Sequence, residues 1–351
     1  MPQTLVDHTT TLHVMNVRAG NACWLELPEN MIAVVDWGTT DKAMRSALVN
    51  RAIESNGVAF LLATHAHSDH TSGLPGLLQD LLAAGVPVGA IYSSVSLPKI
   101  SPGDDPAATR RTDYLRRLAE IALPHPEIEQ AQVTIRESRW TSETRLWTSE
   151  DERVDVLAVA PSCTVARRQD LLGYANRNTP NNSTSIVVWV RNLDTGRSLL
   201  LPGDAEKETL AFAKRHCTQV LDTELTSDVL IVPHHGSTHN WNEEVAGLCT
   251  GLFVLSSPPG SDHHPAESVL SEIVERCKVG DAKNLACTGL AACCERRILQ
   301  QRSNIAQHGS LKRAACCGDI TVTMSNRIRV SFSNAMSSHY RSNGVCQTAE
   351  N

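Results

Sequence analysis

Short aliphatic runs, closed by glycine, proline or polar clusters, alternate along the chain with stretches of helical spacing. The first two runs, Leu12 to Val17 and Ala22 to Leu27, flank Arg18-Ala19-Gly20-Asn21 and predict two strands joined by a turn. Met31 to Asp36 predicts a third strand, closed by Trp37-Gly38-Thr39-Thr40. A carboxylate that ends an apolar strand, as Asp36 does, is placed to order a neighbouring loop by hydrogen bonds. Residues 41–54 then read as a helix, 58–63 as a buried strand, 74–84 as a helix and 86–92 as a strand. This alternation predicts a layered α/β domain.

The pattern changes over 101–148, where Pro106 to Leu118 has the spacing of an amphipathic helix rich in arginine. A helical insertion is expected there. Arg110, Arg111, Arg116 and Arg117 would face solvent or, beside a site, an anionic substrate. Strands return at 154–160 and 185–190, and at 198–201, which runs straight into Pro202-Gly203-Asp204. A helix over 206–216 leads to the apolar run at 228–232 and on to Pro233-His234-His235-Gly236-Ser237. The run at 252–257 is followed by Asp262-His263-His264-Pro265. Strands of one sheet that each end in ligand-type residues build a shared site at the sheet edge.

Between the strand at 58–63 and the helix at 74–84 lies His65-Ala66-His67-Ser68-Asp69-His70, four metal-binding side chains in six residues. Alternate positions of an extended segment share a side, so His65 and His67 point at one metal position. Asp69 and His70, displaced by the following turn, face a second. Imidazole and carboxylate suit Zn²⁺, Mn²⁺ or Fe, and two adjacent ions form a clamp for hydrolysis. Such a site needs a carboxylate able to bridge both ions. Asp204 is the candidate, with Gly203 letting the backbone pass close to the metals.

These blocks, together with Val14 to Ala22, Val34 to Gly38, Asn181-Asn182-Ser183-Thr184-Ser185, Leu200 to Glu206, Asp228 to Ser237 and His264-Pro265, resemble the metallo-β-lactamase superfamily. Within it the chain is most similar to the hydrolase domain of ComEC-like competence proteins. The resemblance covers residues 11 to about 270, in family order. It implies a four-layer αββα sandwich, with two divalent ions, zinc or manganese, at one edge of the two sheets. His65, His67 and Asp204 would hold the first ion; Asp69, His70, Asp204 and a late histidine the second. His264 fits the last ligand position best, although one of His234 and His235 is the alternative. That pair would otherwise serve as acid or phosphate-binding groups, with Ser237 and Asn182 binding substrate and His239 and His263 as bystanders.

Asn181-Asn182-Ser183 stands where most of the superfamily supplies a further histidine, which leaves the first position short of a donor. Asn21 likewise replaces the acidic residue of the family's first turn. The implied reaction is attack by a metal-bound hydroxide that Asp69 orients, with a phosphodiester, nucleic acid or nucleotide, as the expected substrate. The rival readings are a hydrolase of small esters, lactones or thioesters, and a non-catalytic metal-binding subunit of a larger, defence-related complex with a partner protein from the same operon.

With 351 residues, 41% of them apolar and only 4% aromatic, the chain can build a sizeable core from aliphatic packing. The net charge of −6 gives no global field for nucleic acid. No signal peptide or long apolar span is evident, so a cytoplasmic protein with no membrane partner is expected. The hydrolase domain is expected over 1–280, followed by a cysteine-rich, basic extension over 281–332 that closes in a β-hairpin, and by a disordered tail over 333–351. The eleven cysteines are an odd number and do not fit a secreted disulfide scaffold. Cys287, Cys293, Cys294, Cys316 and Cys317 read as buried thiols; with His308 they offer a structural zinc site as the lesser alternative.

Overall fold

Strands buried on both faces lose the alternation of polar and apolar residues, and several runs of this chain do so. The computed structural model, which describes residues 8–17, 20–94, 106–135, 144–166, 181–257, 264–279, 284–289 and 318–333, shows why. Two sheets pack face to face, and helices cover their outer sides. β4 (Gly57–Ala63) and β8 (Val154–Ala160) lie inside these layers and are buried almost throughout.

The first sheet has the order β15-β14-β1-β2-β3-β4-β5-β6. Its members are β1 (Thr10–Val14), β2 (Ala22–Leu27), β3 (Met31–Trp37), β4, β5 (Val88–Ser93), β6 (Glu129–Gln132), β14 (Ile320–Met324) and β15 (Ile328–Phe332). The second has the order β13-β12-β11-β10-β9-β8-β7. It is built from β7 (Arg145–Thr148), β8, β9 (Val187–Asn192), β10 (Arg197–Leu201), β11 (Ser227–Ile231), β12 (Cys249–Leu255) and β13 (Asn284–Cys287). β3 to β6 run parallel, as do β10 to β13, so their carboxyl ends gather along one edge of each sheet.

Leu25, Phe60 and Leu62 of the first sheet meet Val156, Leu200 and Phe253 of the second in one continuous core. On the far side of the first sheet, Leu61 and Ile91 pack with Leu48 of α1 (Lys42–Ile53), Leu77 and Leu78 of α3 (Leu74–Ala83) and Leu115 of α4 (Pro106–Ala122). Leu210 and Ala213 of α5 (Lys207–Val220), and Val269 and Ile273 of α6 (Glu267–Val279), join the core from beyond the second sheet. The layers are therefore αββα, the architecture expected from the resemblance. α1 starts where its cap is: Asp41 accepts from the amides of Ala43 at 2.8 Å and Met44 at 3.1 Å.

Besides α4, the 101–148 stretch supplies β6 and β7, one strand to each sheet; both are four residues long and carry no clear alternation that would signal a strand. The hairpin β14–β15 pairs with β1 at the edge of the first sheet. Six cysteines among the described residues are free, and all but Cys163 are buried. Burial pushes the thiols of Cys217 and Cys249 up to about 12, so they pack as small apolar groups. The expected zinc alternative falls on Cys293, Cys294, His308, Cys316 and Cys317, which lie outside the described residues, as do the basic stretch before β14 and the tail after 333.

Candidate metal centre

Five strand ends deliver the site: β3 brings Asp36, β4 leads into His65, β10 into Asp204, β11 into His234 and His235, and β12 into Ser256. The short helix α2 (Ser68–Thr71) turns Asp69 and His70 back towards them. Its position is set by close backbone approach. The carbonyl of Asp69 accepts from the amide of Asn21 at 2.9 Å, and a Cβ on Gly38 would stand 1.6 Å from the same oxygen. A Cβ on Gly20 would stand 2.3 Å from it. The turn before β2 and the Trp37-Gly38 turn thus act as a backbone clamp on the metal loop.

Each of three buried histidines has one ring nitrogen anchored by an acceptor. Asp36 accepts from the Thr64 amide at 2.7 Å, from Thr64 Oγ1 at 2.8 Å and from His70 Nδ1 at 2.7 Å. Thr64 Oγ1, its hydrogen committed to Asp36, lies 3.1 Å from His65 Nδ1 and accepts from it. His235 Nδ1 donates to the Ser256 carbonyl at 2.9 Å. In all three rings Nδ1 holds a hydrogen and Nε2 is the nitrogen turned to the site.

The Nε2 atoms of His65 and His70 converge on a buried carboxylate. Asp204, 1% exposed, has Oδ1 3.1 Å from His70 Nε2 and Oδ2 3.6 Å from His65 Nε2. His67 Nδ1 is 3.0 Å from His65 Nε2. Donor atoms of His65, His70 and Asp204 all lie within 4.8 Å of one another, and those of Asp69, His70 and His235 do the same. Asp204 Oδ1, His70 Nε2 and His235 Nε2 are buried without a hydrogen-bond partner. Unsatisfied buried polar atoms are costly, and the two donor groups that share His70 fit divalent cations.

The charges agree. Burial, reinforced by the charge of His70, holds His65 well below the usual histidine range, and burial likewise lowers His67 and His235. Burial disfavours the charged form of His70 too, but the Asp204 and Asp36 carboxylates outweigh it and hold its pKa well above the usual value. Burial alone would raise Asp204; His70, His65 and His235 instead hold it well below the carboxylate range. His65, His67 and His235 are thus held neutral around an ionised carboxylate, while His70 carries the balancing proton and would release it to a bound cation; imidazole and carboxylate together form the donor set that zinc and manganese accept.

His234 and His235 sit at φ +47° and +53°, a left-handed conformation that costs non-glycine residues on the order of 1 to 3 kcal/mol each. The turn is held by the His234 amide on the Gly203 carbonyl at 3.1 Å and the Ala266 amide on the Gly236 carbonyl at 3.0 Å. It sends the His235 ring towards His70, with ring centroids 6.1 Å apart, and brings His234 Nε2 to 3.5 Å from Asp204 Oδ2. The His264 ring lies beside that of His234 instead, tilted by 42° with 5.0 Å between centroids. Asn182 reaches His234 Nδ1 at 3.2 Å. Ser237 is buried and its hydroxyl accepts from the His239 amide at 3.3 Å, while His239 itself is exposed. His263 lies outside the described residues.

α4 packs against α2 and α3; Arg116 pairs with Glu120 at 3.1 Å and Arg117 is exposed. The side chains of Arg110 and Arg111 lie outside the described residues. Three groups escape a reading of the sequence: Thr64, the Ser256 carbonyl and Asn240. Thr64 directly precedes the histidine cluster, so its neighbourhood was a signal. Nothing local marks the other two.

No family model matches the chain, and no curated protein matches it. Matching solved structures include the metallo-β-lactamase fold protein YhfI from Bacillus subtilis, at 12% identity and a TM-score of 0.41, over 80% of this chain and 96% of that one. A diphosphatase from the PhnP family matches at 10% identity and a TM-score of 0.34, over 79% of this chain and 85% of that one. A long-form RNase Z from yeast matches at 10% identity and a TM-score of 0.37, over 82% of this chain and 38% of that one. Among the described residues no helix is long and apolar enough to cross a membrane.

Proposed function

We propose that this chain is a metal-dependent phosphodiesterase of the ComEC-like metallo-β-lactamase type. The observation that carries the metal reading is the pair of donor groups that share the anchored His70: His65 and Asp204 on one side, Asp69 and His235 on the other. His65, His67 and Asp204 would hold one divalent ion, zinc or manganese; Asp69, His70, Asp204 and His235 would hold the other. When bound, such ions supply Lewis-acid polarisation and a water that ionises near neutral pH.

The protein's own groups do the rest. Asp36 and Thr64 keep the hydrogens of His70 and His65 on Nδ1, away from the ions. Asp69 has a side chain 43% exposed, against 2% for Asp204, so it stands at the mouth where it can orient the attacking water and take its proton. His235, its Nδ1 hydrogen committed to Ser256, takes the last-ligand role that the sequence assigned first to His264. A nucleotide or nucleic acid phosphodiester is the substrate expected from the sequence, and the Asn182 amide beside His234 would bind it.

The test is turnover of single-stranded DNA, RNA, a cyclic dinucleotide and a lactone with Mn²⁺ or Zn²⁺. Phosphodiester cleavage is expected, falling about a hundredfold or more in Asp69→Ala and His235→Ala. Undiminished cleavage by Asp69→Ala contradicts the mechanism. Lactone turnover without phosphodiester cleavage places the chain with small-ester hydrolases instead.

A further inference from the structure

One buried amide ties the Asp204 turn to the histidine pair. Asn240, 1% exposed, donates from Nδ2 to the carbonyls of Asp204 at 2.8 Å and Ala205 at 3.0 Å. With both amide hydrogens committed, exchanging its oxygen and nitrogen would set an oxygen against two carbonyl oxygens, so the orientation is fixed. Oδ1 is therefore the atom 2.9 Å from His234 Nδ1. That oxygen can only accept, which puts the His234 hydrogen on Nδ1 and the lone pair on Nε2. Asn182, 3.2 Å from the same Nδ1, must then turn its oxygen to it as well.

His234 Nε2 lies 3.5 Å from Asp204 Oδ2, the carboxylate oxygen that also stands 3.6 Å from His65 Nε2. We propose that Asn240 is a positioning residue that locks His234 in its Nδ1-protonated form, making Nε2 the third imidazole donor of the first metal position, across Asp204 from His65 and His67. This rests on the metal-centre reading above. It supplies, from the loop after β11, the donor that the Asn181-Asn182-Ser183 segment lacks. It also reassigns His234 from the leaving-group acid to a ligand, because a nitrogen bound to metal has no proton to give. The Asn240 hydrogen bonds to Asp204 and Ala205 make the arrangement rigid: the amide that sets the His234 tautomer also holds the backbone of the bridging carboxylate.

The experiment is a two-bond ¹⁵N–¹H histidine spectrum of the Zn²⁺-loaded protein, with the His234 signals identified by their loss in His234→Gln, together with Zn²⁺ titration of wild type and Asn240→Ala. The proposal expects His234 protonated on Nδ1 with Nε2 shifted by metal. It expects Asn240→Ala to weaken one of two zinc equivalents about 10- to 100-fold and to leave the other as it was. His234 protonated on Nε2 in the wild type overturns it, and that spectrum decides even if Asn240→Ala does not fold. Two zinc ions bound equally well by wild type and Asn240→Ala overturn it while the metal-centre reading stands. Wild type that binds no zinc overturns both.

Discussion

Replacing Asp36 by asparagine removes one acceptor from the middle of the site and changes little else. The side chain is 1% exposed and its two oxygens serve three donors: the Thr64 amide at 2.7 Å, Thr64 Oγ1 at 2.8 Å and His70 Nδ1 at 2.7 Å. The backbone sits at φ +63°, which asparagine tolerates as aspartate does, so no new strain enters. Whichever way the amide is placed, its nitrogen meets an N–H: that of Thr64 in one orientation, that of His70 in the other. One hydrogen bond is lost and one buried donor is orphaned, which costs about 1 to 3 kcal/mol. In the second orientation His70 escapes by moving its hydrogen to Nε2, where it points at Asp204 and no longer binds metal. Asp36→Asn should therefore lower stability by that amount in urea denaturation with chelator present. It should also weaken zinc binding about 10- to 100-fold by calorimetry. Asp36→Ala, with three orphaned donors, should cost more, roughly 3 to 6 kcal/mol. An asparagine variant equal to wild type in both urea midpoint and zinc affinity would refute the assignment of Asp36 as the anchor.

Gly38→Ala places a methyl 1.6 Å from the Asp69 carbonyl oxygen and should cost more than about 2 kcal/mol in urea denaturation and reduce zinc binding; wild-type values for both would show that the metal loop is not clamped there. His13, stacked on Trp24 at 3.7 Å, has its pKa pushed down to about 4 by burial, against the opposing charge of Glu26. Its neutral form stabilises the fold fully above about pH 6.5, and this is lost as pH falls towards about 4, at most about 3 kcal/mol at 1.36 kcal/mol per pH unit. His13→Gln should therefore lose less stability than wild type between pH 7 and 4.5, and an equal loss contradicts the reading. Zinc at about a hundredfold above its dissociation constant should add about 2.7 kcal/mol per site to the unfolding free energy, an increment that chelator removes; an unchanged urea midpoint would argue against zinc binding to the folded chain.

What could be read from the sequence was what is local. His65, His67, Asp69 and His70 share one strand end and one turn, so their spacing carries the chemistry, and Asp204 follows its strand directly. Asp36 could be assigned its ordering role because an apolar strand ending in a carboxylate is itself a local signal. The choice among His234, His235 and His264 could not be read, since it depends on two successive left-handed residues and on which strand lies beside β11. Asn240 and the Ser256 carbonyl are brought in by packing between turns distant in sequence. β6 and β7 are short edge-proximal strands whose partners, not their residues, make them strands. The pairing of β14 with β1 joins residues some three hundred positions apart, a contact no local pattern encodes.

The central claim is that His65, His67, Asp69, His70, Asp204 and His235 hold divalent ions. Zinc content per chain, measured after dialysis at a fixed free zinc concentration, tests it most directly in wild type and in Asp204→Asn. Two ions per chain in the wild type and fewer than one in the variant are predicted. A wild-type chain that retains no zinc, or an Asp204→Asn chain that retains as much as wild type, would contradict it.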